Sequence, residues 1–220
     1  MSIQLNQQFI ENPKQFFRNH FINQPDALCF GTATGIQQFD FNLDPANRAV
    51  KRHRFRRLRE YPVVSISQHV PAAGQAPGVP FASVPVHWLS NTVNAVTNIQ
   101  LTNGADFFFT VTLNGCRIEV GFGVNPTILH IDGSHSNAHQ IQLGNQYFNG
   151  APHRGLSYVL DHGYANADNA IFYGIRNRRT NRWKFYTQGY DAVLPHSNEM
   201  LNAGFIGTID FKKFYANKRF

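Results

Sequence analysis

Cys116, His130 and Thr110 are the residues whose types and order suggest chemistry first. Cys116 follows a turn glycine, Gly115, in Leu113-Asn114-Gly115-Cys116. A glycine lets backbone approach closely, so amide N–H groups beside the cysteine can face a reacting carbonyl. His130 follows in Thr127 to Asp132, and an imidazole near a thiol activates it for nucleophilic attack. The imidazole needs a group that fixes its tautomer, and Thr110, six residues before the cysteine, fits that role. Asp132 is the acidic alternative. It shares a strand face with His130 but sits about 6.6 Å further along, so Thr110 ranks first. On spacing alone, one cysteine and one histidine also suit a small core residue and a hydrogen-bonded core histidine.

The elements that must position these residues read as strands. Asp106 to Leu113 is rich in aromatic and β-branched residues. Asn114-Gly115 marks a turn, Arg117 to Phe122 alternates polar and apolar, and Thr127 to Asp132 follows a second break at Gly123 to Pro126. The pattern predicts a compact β-meander with His130 close enough to hydrogen-bond the thiol. Further strands are expected within Ala170 to Ile175, Trp183 to Tyr186 and Ala203 to Phe211. Upstream, Asn12-Pro13 starts a helix that carries Phe16, Phe17, His20 and Phe21 at helical spacing and stops at Gln24-Pro25. Val70 to Pro85, with its prolines and with Gly74 and Gly78, reads as a long surface loop. The expected fold is α+β: a central β-sandwich of mixed sheets flanked by helices and long loops, one domain over residues 1–220.

The segment Phe107 to Asp132 resembles the active-site region of glutamine deamidase toxins, the cytotoxic necrotizing factor and Burkholderia lethal factor family. Leu113-Asn114-Gly115-Cys116 is similar to the family's Leu-Ser-Gly-Cys signature, and Leu129-His130-Ile131-Asp132 to its histidine segment. Thr110 stands where the family's third catalytic residue stands, and Asn114 replaces the signature serine. The resemblance implies a Cys116–His130–Thr110 triad, a sandwich fold, no cofactor and no catalytic metal. It also implies a host regulatory protein as substrate, of the small-GTPase or translation-factor-helicase type. The chain would then be made in the bacterial cytosol, delivered to the host cytoplasm, and active as a monomer.

Composition narrows the rivals. At 220 residues with 42% hydrophobic side chains and 20 Phe, the chain can bury a core without disulfides. Its two cysteines, Cys29 and Cys116, are expected to be reduced, with Cys29 a small buried residue. No classical signal peptide and no membrane-length apolar run is visible. The net charge of +7 gathers in Lys51 to Arg59 and Arg176 to Lys184. Arg52, Arg54, Arg56 and Arg57 suit docking onto an acidic protein surface, or a merely solvated face. Those clusters, interleaved with Phe55, Trp183, Phe185 and Tyr186, also allow a nucleic-acid-binding module. A cysteine peptidase or transglutaminase would share the nucleophile. A metal site in His130, Asp132, His135 and His139 is disfavoured, because Gly133, Ser134, Ser136 and Asn137 read as loop.

Overall fold

The computed structural model describes residues 2–23, 33–45, 48–52, 58–69, 83–157, 169–192 and 202–210. The described residues form three helices: α1 (Ser2–Glu11), α2 (Pro13–Asn19) and α3 (Asn137–Phe148). The strands are β1 (Phe21–Ile22), β2 (Gly35–Leu43), β3 (Arg48–Arg52), β4 (Leu58–Tyr61), β5 (Val63–Gln68), β6 (Val84–Leu89) and β7 (Val96–Gln100). They continue as β8 (Phe107–Thr110), β9 (Arg117–Gly121), β10 (Thr127–Ile131), β11 (His153–Ser157), β12 (Asn169–Asn177), β13 (Arg182–Ala192) and β14 (Asn202–Asp210). The fold is α+β and mostly β.

Two sheets form. The large mixed sheet runs β1-β5-β2-β6-β8-β12-β13-β14-β3-β4, and the small antiparallel sheet runs β11-β9-β10-β7. Period-two alternation divides the large sheet's side chains between two interiors. Phe107 and Phe109 of β8, with Ile171 and Tyr173 of β12, meet Phe9, Phe16 and Phe17 of the first two helices. Phe17 stacks on Tyr173 with ring centroids 3.7 Å apart. Phe108, Phe172 and Phe185 face the other way, against Ile118, Val120 and Ile128 of the small sheet. Helix α3 covers the small sheet's outer face, packing on β9, β10 and β11. Each buried Phe removes apolar surface worth about 1.5–3 kcal/mol, so the abundant Phe residues account for both interiors.

Several expectations need correction. The meander does not exist as such. β9 and β10 do pair antiparallel, but β8 lies in the other sheet, between β6 and β12. After Thr110 the chain crosses from one sheet to the other, tied on the way by Leu113, whose backbone exchanges hydrogen bonds with Ala170. Helix α2 begins as read, with Asn12 accepting the Gln15 amide at 3.2 Å, but stops at Asn19 rather than at Gln24-Pro25. Phe21 and Ile22 instead pair in parallel with Val63 and Val64, a long-range partner that local spacing does not reveal.

The basic run from Lys51 is extended at its ends, where Arg52 of β3 pairs with Leu58 of β4. Within the expected loop from Val70 to Pro85, residues 70–82 lie outside the described residues, and Val84 and Pro85 open β6. Pro85 is tolerated because β6 pairs with β8 only from Val86 onward.

Candidate active site

Alternation along β10 turns Ile128 and His130 toward the large sheet. Thr110, the last residue of β8, looks back across the same interior. Its Oγ1 lies 2.8 Å from His130 Nδ1 and 2.9 Å from the Leu89 carbonyl oxygen. A carbonyl only accepts, so the threonine hydroxyl donates to Leu89 and accepts from Nδ1–H. The imidazole is thereby held in one tautomer, with its lone pair on Nε2. That nitrogen is buried and makes no hydrogen bond. His130 is fully buried, and burial pushes its pKa down to about 4 against the opposing pull of the Asp132 charge. At neutral pH it is a neutral base.

Cys116 enters the same interior from the turn just before β9. Gly115 adopts φ +79°, the left-handed conformation that glycine accepts without a Cβ clash, and this sharpens the turn out of Asn114. The register Ile118↔His130 and Arg117↔Ile131 continues to place Cys116 across from Asp132 and one diagonal step from His130. Diagonal neighbours are about 7–8 Å apart at Cα, within reach of long side chains. The expected thiol–imidazole hydrogen bond is not formed, since Nε2 has no partner, and Sγ instead lies 3.9 Å from the Asn114 carbonyl oxygen. Burial pushes the Cys116 thiol up, backbone hydrogen bonding from Gly133 and Asn114 opposes this, and the Asp132 charge adds to the rise. The resting pair is therefore a thiol and a neutral imidazole.

Asp132 has another task. Its carboxylate accepts from Asn91 Nδ2 at 3.1 Å, the Asn94 amide at 3.0 Å and the Ser134 amide at 3.2 Å. Burial would raise its pKa, but the bonds from Ser134, Asn94 and Asn91 outweigh that and hold the carboxyl well below the usual carboxylate range. It anchors the β6–β7 loop to the turn after β10. Thr110, not Asp132, makes the side-chain contact to the His130 ring.

Two residues belong to the site that the sequence reading did not single out. Gln140 of α3 is only 2% exposed, and its Nε2 donates to the carbonyls of Gly115 and Asp132, each at 3.1 Å. Gly133 packs backbone to backbone on the cysteine turn. A Cβ there would stand 2.9 Å from the Gly115 carbonyl carbon and 3.1 Å from both the Asn114 oxygen and the Cys116 nitrogen. The available signal was Ser136, which caps α3 by accepting the His139 amide and so puts Gln140 in the first turn.

Among the other candidates, Leu113 is buried and Asn114 exposed at the turn. His135 precedes α3 and His139 lies within it, rings edge to face at 4.8 Å. The segment expected to be loop thus becomes helical at Asn137. Among the described residues, no three His, Cys, Asp or Glu side chains are grouped to hold a metal ion. Arg52 ends β3, whereas Arg54, Arg56, Arg57, Phe55 and Cys29 lie outside the described residues. Phe185 and Tyr186 are buried, one in each interior, and Trp183 stacks on Phe185. Arg176 and Arg178 are both paired with Asp106. Among the described residues, no helix is long and apolar enough to cross a membrane. The sequence matches no family model and no curated protein.

Proposed function

We propose that the protein is a glutamine deamidase in which Cys116 is the nucleophile, His130 the general acid–base and Thr110 the group that orients it. The observation that carries this reading is the Thr110–His130 hydrogen bond, which leaves a buried, unpartnered Nε2 lone pair on the interior face shared with Cys116. A buried acceptor without a partner costs about 1–3 kcal/mol. A proton-accepting role gives that cost a use.

The chemistry starts from the neutral pair. As Sγ bonds to the carbon of a glutamine carboxamide, its proton passes to Nε2, and negative charge builds on the amide oxygen. Backbone N–H groups of the cysteine turn stabilise that oxygen, each worth about 3–4 kcal/mol. The imidazolium, transiently stable because Thr110 accepts from Nδ1 and Asp132 lies near, gives its proton to the departing nitrogen. Ammonia leaves and a thioester remains. Nε2 then takes a proton from water as its oxygen bonds to the thioester carbon, and returns it to sulfur as glutamate is released. With a lysine amine in place of water, the same thioester leads to transglutamination.

The substrate would be a protein side chain reaching Cys116, a residue 5% exposed and flanked by the exposed Asn114 and Gly133. Small GTPases and a translation-factor helicase are the first proteins to test, each incubated with the enzyme and read by peptide mass spectrometry. A glutamine that becomes glutamate with the native chain, and stays intact with Cys116→Ser, supports the reading. Equal conversion by Cys116→Ser, or no change in any cellular protein after exposure, overturns it.

A further inference from the structure

We infer that Gln140 is a positioning residue for the nucleophile: by holding the Gly115 and Asp132 carbonyls with one amide group, it sets the peptide planes whose N–H groups face the cysteine. The inference rests on Cys116 being the nucleophile. Both bonds are 3.1 Å long, from a side chain buried under α3. In a trans peptide the C=O and the next N–H point in opposite directions. Turning the Gly115 carbonyl toward α3 turns the Cys116 N–H away from it, and turning the Asp132 carbonyl the same way does likewise for Gly133 N–H.

The second plane matters most. Gly133 lies against the cysteine turn with no room for a Cβ, and its backbone hydrogen-bonds the sulfur, favouring the thiolate. Gln140 therefore acts on sulfur through Gly133 without touching it. Among the described residues, the charged and titratable groups around the turn are few. His130 comes from β10 and Asp132 from the turn after it, and Arg117 and Glu119 of β9 pair with each other on the outer face. His135 and His139 lie at the start of α3, and His153 of β11 lies beside Glu119. Replacing Gln140 by a residue of similar length without a donor leaves all of them in place.

The test is the pH profile of Cys116 alkylation by iodoacetamide, a neutral reagent, in a Cys29→Ser background so that one thiol is read. Gln140→Met should move the midpoint upward by about one pH unit, a roughly tenfold slower reaction at neutral pH. Gln140→Glu, with acceptors facing two carbonyls, should move it at least as far. A tether with only a structural role would lower stability and leave the midpoint in place, and an unchanged midpoint overturns the inference. No alkylation of folded parent protein at any pH overturns the nucleophile assignment itself, and this inference with it. A measurement on the native chain guards against variants that fail to fold. The Gly133 amide proton resonance should follow the ionisation of Cys116 and lose that response in Cys116→Ser; a resonance that ignores the thiol overturns the inference.

Discussion

Thr110 and His130 meet across the interior between two sheets, the threonine hydroxyl accepting from Nδ1 while giving its own proton to Leu89. Thr110→Val keeps the shape but leaves Nδ1–H buried without an acceptor, a loss of about 1–3 kcal/mol in stability. If the same energy is lost in the transition state, kcat falls about 5- to 150-fold, since about 1.4 kcal/mol is a factor of ten. Thr110→Ser keeps the hydroxyl and should stay near native. Similar activity in the valine and serine variants would remove Thr110 from the triad.

Cys116→Ser should abolish deamidation and leave the circular dichroism spectrum unchanged, because the hydroxyl is similar in shape but far less ionised. His130→Ala should be nearly as damaging to activity, as nucleophile and base act together. Asp132→Asn tests the other carboxyl. Its partners are Asn91, Asn94 and Ser134, so its main effect should be on thermal stability rather than on the acid–base step.

Stability should fall on mild acidification because of His130. Unfolded, the imidazole takes up a proton near its ordinary value of 6.5; folded, it refuses one until about 4. Between those values the unfolded chain binds the extra proton, so folding weakens as pH falls through this window, by about 3 kcal/mol in all. His20 and His87 are shifted down by burial too, so the His130 share is the difference between the native chain and His130→Asn in urea titrations at each pH. Asp132 acts in the same direction, but in a lower pH window. Its folded pKa is depressed, so the stability it adds is lost only as pH falls below its unfolded value of 3.8. Parallel pH dependence in the two chains would refute the burial argument.

Gly133→Ala places a methyl group within about 3 Å of the turn backbone, where no flexible side chain can yield. The turn must shift by a few tenths of an ångström, and the roughly 1–3 kcal/mol cost of overpacking should appear in the melting temperature. Alkylation of Cys116 should slow along with it. A stable, fully reactive alanine variant would show that the close approach does not matter.

Replacing Arg52, Arg54, Arg56 and Arg57 together by glutamine should slow attack on an intact protein substrate while leaving iodoacetamide reactivity unchanged. The chemistry uses no anion, so such a patch would act on encounter, an effect that salt weakens. Unchanged substrate kinetics would leave the arginines as a solvated face.

What the sequence made legible follows from local patterns. β9 alternates polar and apolar residues, β10 and β12 are short apolar runs bounded by Gly, Pro or Asn, and Asn12-Pro13 starts a helix where its cap predicts. Thr110, Cys116 and His130 were readable as chemical types. Their arrangement was not, because the partners of β8 are β6 and β12, neither adjacent to it in the chain. The ends of α2 and β6 were misplaced for the same reason: distant backbone took the hydrogen bonds. Gln140 was invisible as a site residue because its role lies in two carbonyls 25 and 8 residues away.

The crossing of the chain between sheets after Thr110 makes the spacing at the base a matter of interior thickness. That thickness is set by aromatic side chains remote from sulfur, such as Phe172 and Phe185, stacked 5.6 Å apart with planes 8° from parallel. If shaving one of them changes the separation of the sheets, the 2.8 Å contact at His130 stretches or breaks while the strands keep their own hydrogen bonds. Enzyme turnover would then work as a caliper on the sandwich, falling at denaturant concentrations where the strands still stand.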